Sequence, residues 1–538
     1  MATIDLTVQS NLIASLLEPL SAKLRVERLE AERAAGVHVF TATAKASSDL
    51  DLLQAGIDAL GQLGDAAATV LNGLELPMSR RVLHTVGGNG NGSHVAAVSF
   101  KCEPAFATQL KAATQSIVQV SPTRWLYPQS VEPMGLNLRV HRIVVAPEEK
   151  ARPCKVKVVD AGGAPVAGVE VVALLDAASG TNIADTTTSG GYAQFRIPKQ
   201  YPDVYMFFVS APHTYWSKWV MGFRAANFPT TDIVVTIDHA WPDNFMVLSH
   251  YGAPKPNAGA GVRIGVIDSG IGPHRDIDVA GGQNHVTGEP AADFMDNGIG
   301  HGTHVAGIIA GTAAEGAGMV GLAPKCTLMS YRVCSQGGIN FGKANSADVI
   351  AALSKAIADE CDLVNISLGS PDPMPELEPL LLEAREKGIL VIAATGNDGL
   401  QGARFPACYD DAVGVTALAK KGSFPASATE SLTSARVTKG DQFVPNFSNY
   451  GMFVDFVGPG FAVVSTFPND KYAVMSGTSM ATPFLTGMTA RLLSDHPEVS
   501  TMPRNGARRL AILKLAIDAA KLVDFTPSRE FEGNGLVS

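Results

Sequence analysis

The sequence predicts a doubly wound α/β domain on a parallel sheet, preceded by an α+β N-terminal region and a β-sandwich. Three observations carry that division. From residue 239 onward, the apolar runs 262–267, 328–333, 363–368 and 389–394 alternate with helical spacing at 301–311, 346–358, 376–387 and 479–493. Near-continuous apolar runs fit strands covered on both faces, and βαβ repetition makes them parallel. Residues 152–238 instead show only short strands between turn clusters. Finally, the chain has 538 residues, and at roughly 150 per domain that length implies about three to four domains. The boundaries are set at 1–147, 152–238 and 239–522, with 523–538 as a C-terminal tail.

In the first region, strand patterns at 37–43, 94–100 and 117–120 alternate with helical spacing at 49–63 and 105–114. That mixture suits one small sheet packed on two helices. In the second, strands at 155–159, 169–175, 192–197, 204–209 and 232–237 are separated by GGAP, ASGTN and SGG. Glycine, proline and asparagine at those points make turns, so a compact antiparallel sandwich is expected. In open α/β sheets such as the third, chemistry gathers at the carboxyl ends of the strands.

Composition narrows the function. The net charge of −9 offers no basic field for nucleic acid. Apolar content of 46% with 17% charged residues excludes a mainly disordered chain. No stretch of about 20 uninterrupted apolar residues could cross a membrane as a helix. The six cysteines form no CxxC pair and no dense framework, so neither structural zinc nor a disulfide scaffold is indicated. The first 30 residues read as an amphipathic helix rather than a signal peptide, and a cytoplasmic location is the expectation. The GGNGNG stretch at 87–92 lacks the G-x-G-x-x-G spacing and reads as a turn.

Four segments of the α/β region could carry chemistry. Asp268 follows the buried strand VRIGVI, where it could cap a turn or serve a site at the strand end. His301 opens HGTHVAGIIAG; the positive end of a helix disfavours its charged form and leaves it able to accept a proton. His304, one turn on, fits core packing better. Asn397 ends AATGN, either as a turn cap or with its amide aimed at a developing oxyanion. Ser479 lies in SGTSMATP at the start of a long helix, as an ordinary N-cap or where free N–H groups would stabilise negative charge. Pro483 is read as lying in the first turn, where a missing N–H is tolerated.

Taken together, the order Asp268, His301, Asn397, Ser479 resembles the subtilisin-like serine proteases, or subtilases, as do GLAP at 321–324, NISLG at 365–369 and NFSNYG at 446–451. The resemblance covers about 241–493. It implies a serine endopeptidase in which Ser479 attacks, His301 moves the proton, Asp268 orients the imidazole and Asn397 helps hold the oxyanion. These are the roles and order known for subtilisin itself. It further implies that Ser367, Leu368 and Gly369 pair with the substrate backbone and that Ala394, Thr395 and Gly396 line the specificity pocket. A protein or peptide is the implied substrate, and no cofactor is needed for the chemistry.

Two departures accompany the resemblance. Phe484-Leu485-Thr486-Gly487 replaces the His-Val-Ala-Gly of many relatives, within the helix and away from the triad. The loop after the His helix lacks the Asn-containing calcium loop of many relatives. Asp276 occupies a position resembling a calcium ligand, which leaves a structural calcium open, but one carboxylate falls short of the six to eight oxygens calcium takes and no residue is assigned as a metal ligand. The N-terminal region has an element pattern compatible with a prodomain, making it an expected intramolecular partner. Residues 152–238 resemble carboxypeptidase-regulatory and prealbumin-like sandwiches. Two readings compete with this one: a catalytically silenced protease-fold binding module, and a different serine hydrolase such as an esterase. The triad speaks against the first, and the absence of a G-x-S-x-G elbow against the second.

Overall fold

The structure, a computed structural model, describes residues 39–44, 79–81, 97–101, 118–122, 124–130, 142–146, 150–224, 231–241, 257–296, 298–313, 318–335, 342–525 and 529–538. In the first region, β1 (Val39–Ala44), β2 (Ser79–Arg81), β3 (Ala97–Lys101) and β4 (Val118–Pro122) form an antiparallel sheet in the order β2-β3-β1-β4. The sequence pattern had not indicated β2. The helices expected at 49–63 and 105–114 lie outside the described residues. β5 (Trp125–Pro128) follows and joins a different sheet.

The second region contains β6 (Ala151–Asp160), β7 (Glu170–Asp176), β8 (Thr181–Thr186), β9 (Tyr192–Pro198), β10 (Val204–Ser210), β11 (Lys218–Phe223) and β12 (Ile233–Ile237). They make two sheets, β11-β10-β7-β8 and β12-β6-β9. Val156, Val158, Val171, Ala173, Phe195 and Phe207 are buried in one apolar core. One pair departs from the all-antiparallel expectation: β12 runs parallel to β6. The chain reaches β12 by crossing over from β11 in the other sheet, so no tight hairpin fixes the opposite direction. A second apolar cluster joins this region to the third. There Leu432 packs with Val172, Leu174, Met206, Phe208 and Trp219. The Trp219 indole N–H donates to Ser431 Oγ at 2.8 Å.

The third region begins with β13 (Arg263–Asp268), β14 (Gly281–Asn284) and β15 (Thr327–Arg332), followed by β16 (Ala344–Asn345), β17 (Leu363–Ile366), β18 (Leu368–Gly369), β19 (Leu390–Ala394) and β20 (Ala412–Lys420). Then come β21 (Ala435–Lys439), β22 (Gln442–Pro445), β23 (Phe456–Pro459), β24 (Val463–Phe467), β25 (Lys471–Met475), β26 (Ala520–Lys521) and β27 (Leu536–Val537). The helices are α1 (His301–Ala310), α2 (Ser346–Ala358), α3 (Glu378–Glu386), α4 (Thr478–Asp495), α5 (Pro497–Ser500) and α6 (Gly506–Ala519). The main sheet runs β14-β15-β13-β17-β19-β20-β23-β27-β26, with β13, β15, β17, β19, β20 and β23 mutually parallel.

Alternation along the strands explains why those runs are apolar throughout. Ile264, Val266, Leu390 and Ile392 face the core shared with α1, α4 and α6. Ile267, Val364, Val391 and Ala393 face the core shared with α2 and α3. Chain order reverses beside β13, whose neighbours are β15 on one side and β17 on the other. Such a switch point opens a crevice at the strand ends, and Asp268 is the last residue of β13.

Two sequence expectations are corrected here. Residues 523–538, expected as a C-terminal tail outside the catalytic region, contribute β27, which pairs with β23 and β26 inside the main sheet. Pro483 lies inside α4 rather than in its first turn, since the helix begins at Thr478. The helix tolerates it because another donor replaces the missing N–H: the Ser367 hydroxyl donates to the Ser479 carbonyl at 2.9 Å.

Candidate active site

Three elements bring the candidate residues to one end of the sheet. Asp268 ends β13, His301 is the first residue of α1 and Ser479 the second of α4. Asp268 and Ser479 are 0% exposed and His301 only 2%. His301 Nδ1 lies 2.8 Å from Asp268 Oδ1, fixing the ring so that Nε2 points away from the carboxylate. That Nε2 finds no hydrogen-bond partner among the described residues. The Ser479 hydroxyl is turned instead toward the Ser367 carbonyl, to which it donates at 2.7 Å.

The Asn397 amide is oriented by Thr478. The Thr478 backbone N–H, which can only donate, reaches Asn397 Oδ1 at 2.9 Å, and the Thr478 hydroxyl donates to the same oxygen at 3.1 Å. This leaves Nδ2 aimed away, buried and without a partner among the described residues. Thr478 also binds the Gly396 N–H through its hydroxyl at 3.1 Å, so one side chain positions both 396 and 397. Sequence reading missed Thr478, although its place directly before Ser479 was the available signal.

The cleft is filled by the chain itself. β5 runs antiparallel between β16 and β18, with Leu126 opposite Ala344 and Tyr127 opposite Gly369. Beyond the strand, the Gln129 N–H donates to the Ser367 carbonyl at 3.0 Å, and the Ser479 N–H donates to the Gln129 carbonyl at 2.9 Å. The Ser479 N–H is available because the first N–H groups of a helix have no partner within it. A Cβ on Gly477 would collide with the Gln129 carbonyl oxygen and lie 3.0 Å from Asn397 Nδ2, so only glycine admits this carbonyl there. Leu126 is 0% exposed, in the core that contains Tyr331, Val333, Ile350 and Leu368. Gln129 is 5% exposed. The role of this short stretch was invisible in its sequence, because strand addition is mediated by backbone groups.

Surrounding groups hold the triad elements in place. Asp296 accepts hydrogen bonds from the Gly298 and Gly300 N–H groups and the Thr303 hydroxyl, each at 2.9 Å. Burial nevertheless raises its pKa. Ser269 connects it to the triad: its hydroxyl donates to Asp296 at 3.3 Å and accepts the Gly302 N–H at 2.9 Å. His304 is wholly buried, with Nε2 3.0 Å from the Val463 carbonyl and 3.1 Å from that of Ala473. Burial first, then the nearby His301, lower its pKa to about 3, so it is a neutral core residue.

The residues near Asp276 do not fit a cation. Its Oδ2 accepts the Tyr472 hydroxyl at 2.6 Å and the Met319 N–H at 2.8 Å. An oxygen engaged by two protein donors is a poor ligand for calcium, which needs several free oxygens. No cluster of three or more His, Cys, Asp or Glu side chains able to hold a metal occurs among the described residues.

Comparison with known proteins agrees with this geometry. A sequence profile of the subtilase family matches residues 259–535. The chain is 35% identical to M-protease of Shouchella clausii over 244 residues, which is 45% of this chain and 57% of that protein. It is 35% identical to Subtilisin BL of Lederbergia lenta over 244 residues, covering 80% of that protein. With the thermostable alkaline protease of Halalkalibacterium halodurans it shares 33% identity over 279 residues, 52% of this chain and 66% of the relative. The chain thus spans little more than half the length of the first of these relatives and most of the second. It belongs to the subtilase family.

Proposed function

We propose that this chain hydrolyses peptide bonds in protein substrates through Ser479, and that its own N-terminal region occupies the site until the Gln129–Ser130 bond is cut. One observation carries the reading: the Gln129 carbonyl rests on the Ser479 N–H while the Gln129 N–H is held by Ser367. That contact supports the reading because it sets the Gln129 carbonyl against the backbone N–H of the proposed nucleophile.

The chemistry follows from these positions. The Ser479 hydroxyl turns from the Ser367 carbonyl and attacks the Gln129 carbonyl carbon as His301 Nε2 accepts its proton. Asp268 holds the Nδ1 proton and stabilises the imidazolium. The oxyanion forms against the Ser479 N–H and the unengaged Asn397 Nδ2–H, in a buried place where such donors act strongly. His301 then protonates the Ser130 nitrogen, the C–N bond breaks, and water later releases the acyl group by the same steps in reverse order. Other protein substrates would bind as β5 does, between β16 and β18.

After cleavage, residues from 130 onward would stay with the catalytic region, because the sandwich is joined to it through Trp219 and Leu432. That arrangement supports a sandwich acting as a fixed part of the enzyme rather than as part of the removable segment. The test of the activity is labelling by a fluorophosphonate probe. The incubated wild-type chain is expected to label at Ser479 and Ser479→Ala to remain blank. Absence of label on the wild-type chain would favour the silenced binding module instead.

A further inference from the structure

Gly369 separates two side chains. A Cβ on it would lie 3.0 Å from Arg404 Cβ and 3.2 Å from both Cδ and Nε2 of Gln129. Arg404 therefore leaves its backbone beside the same glycine that the Gln129 side chain covers. Farther out it runs along Gly396, where a Cβ would meet Arg404 Cγ at 2.9 Å and Cδ at 3.3 Å. Its backbone N–H donates to the Thr395 carbonyl at 2.8 Å. The side chain thus crosses the space between segment 367–369 and segment 394–396.

Its charge is met inside that space. Arg404 Nε and Nη2 donate to the two oxygens of Asp398 at 2.6 Å each. Asp398 directly follows Asn397, and its carboxylate and backbone N–H are both bound by the Asn449 amide, at 3.3 and 2.9 Å. The side chains of the pair are only 9% and 15% exposed. Such a two-pronged contact is rigid, and separating it would strand a charge away from water. The Gln129 side chain is held by backbone carbonyls, its amide donating to that of Tyr127 at 2.7 Å and that of Gly369 at 3.4 Å.

We propose that the Arg404–Asp398 pair is the floor of the pocket receiving the side chain on the acyl side of the cut bond. It makes the enzyme prefer a compact, uncharged polar residue such as glutamine and reject large aromatic ones. This specificity rests on the activity proposed above. An aromatic ring needs apolar depth, which the pair occupies. Because the two charges cancel, neither an acidic nor a basic side chain is drawn in. Arg404 and Asp398 are specificity determinants here, outside the reacting atoms.

The test uses the incubated full chain, with active sites counted by the fluorophosphonate probe. Three otherwise identical peptides, built on Trp-Leu-Tyr-Pro-Gln-Ser, carry Gln, Phe or Glu at the cut position. The wild-type chain is expected to favour Gln over Phe at least tenfold in kcat/KM. Arg404→Ala should raise Phe relative to Gln at least tenfold. Asp398→Asn, which leaves the guanidinium charge unbalanced, should raise Glu relative to Gln by a similar factor. If Arg404→Ala fails to fold, the Asp398→Asn arm decides. Variants that titrate with the probe yet keep the wild-type order of peptides would overturn the pocket while leaving the activity intact. A wild-type chain that never labels would remove both.

Discussion

The carbonyl oxygen of Gln129 accepts a 2.9 Å hydrogen bond from the backbone N–H of Ser479, so the start of α4 holds a peptide group of the same chain. Residues 124–130 are anchored at the other end of the strand too, where the Arg124 carbonyl accepts the Ser346 N–H at 2.9 Å. Between these ends the principal side-chain anchor is Leu126. In the Ser479→Ala chain, Leu126→Ala is expected to weaken the hold on this segment by about 3 kcal/mol, as for other buried leucines. Hydrogen exchange of its backbone amides should then accelerate roughly a hundredfold. Unchanged exchange would mean that Leu126 does not anchor the strand.

Asn397→Ala removes a donor whose orientation Thr478 fixes. The expected loss is about 10²–10³-fold in kcat with KM nearly unchanged, the size taken over from the corresponding change in subtilisin itself. Thr478→Val should lower kcat by a smaller factor, because it removes one of the two donors that orient the Asn397 amide and leaves the backbone N–H in place. Steady-state kinetics on a peptide substrate check both, and a pure KM effect would argue against an oxyanion role.

His304 gives a pH dependence of stability with a definite sign. Folded, the imidazole stays neutral down to about pH 3. In the unfolded chain it protonates near its ordinary value of about 6.5. Between those values the unfolded state binds more protons, so stability contributed by neutral His304 is present above pH 6.5 and lost as pH falls toward 3. At pH 4.5 the loss is about 3 kcal/mol, at about 1.4 kcal/mol per pH unit. Denaturant unfolding at pH 7 and 4.5 should show this extra loss in the wild-type chain and lack it in His304→Asn.

Tyr472→Phe takes one donor from the buried Asp276 carboxylate. A buried acceptor deprived of a partner costs about 1–3 kcal/mol. Denaturant midpoints should fall accordingly, and added calcium should not restore them. Restoration by calcium would show that Asp276 belongs to a cation site after all.

Much of the catalytic region was legible because its signals are local. The apolar runs ending at Asp268 and near Asn397 mark strands buried on both faces, and the small residues of α1 mark a helix packed closely on its neighbours. The order Asp268, His301, Asn397, Ser479 then carried a family resemblance. What escaped were relationships between distant segments. Gln129 and Ser479 are joined by backbone groups, which every residue has. Arg404 and Asp398 are ordinary charged residues in a loop until the fold pairs them and runs Arg404 beside Gly369 and Gly396. Pro483 was misplaced because the donor that tolerates it, Ser367, comes from another strand. The last strand, Leu536–Val537, is too short to show a period, and the sheet edge beside β23 gives it its place.

The most direct test of the account is intact mass and N-terminal sequencing of the full chain after incubation, wild type beside Ser479→Ala. The expected result is a wild-type fragment whose sequence begins at Ser130, with the Ser479→Ala chain remaining whole. Two chains of identical, undivided mass would contradict it, as would a wild-type cut at a bond other than Gln129–Ser130.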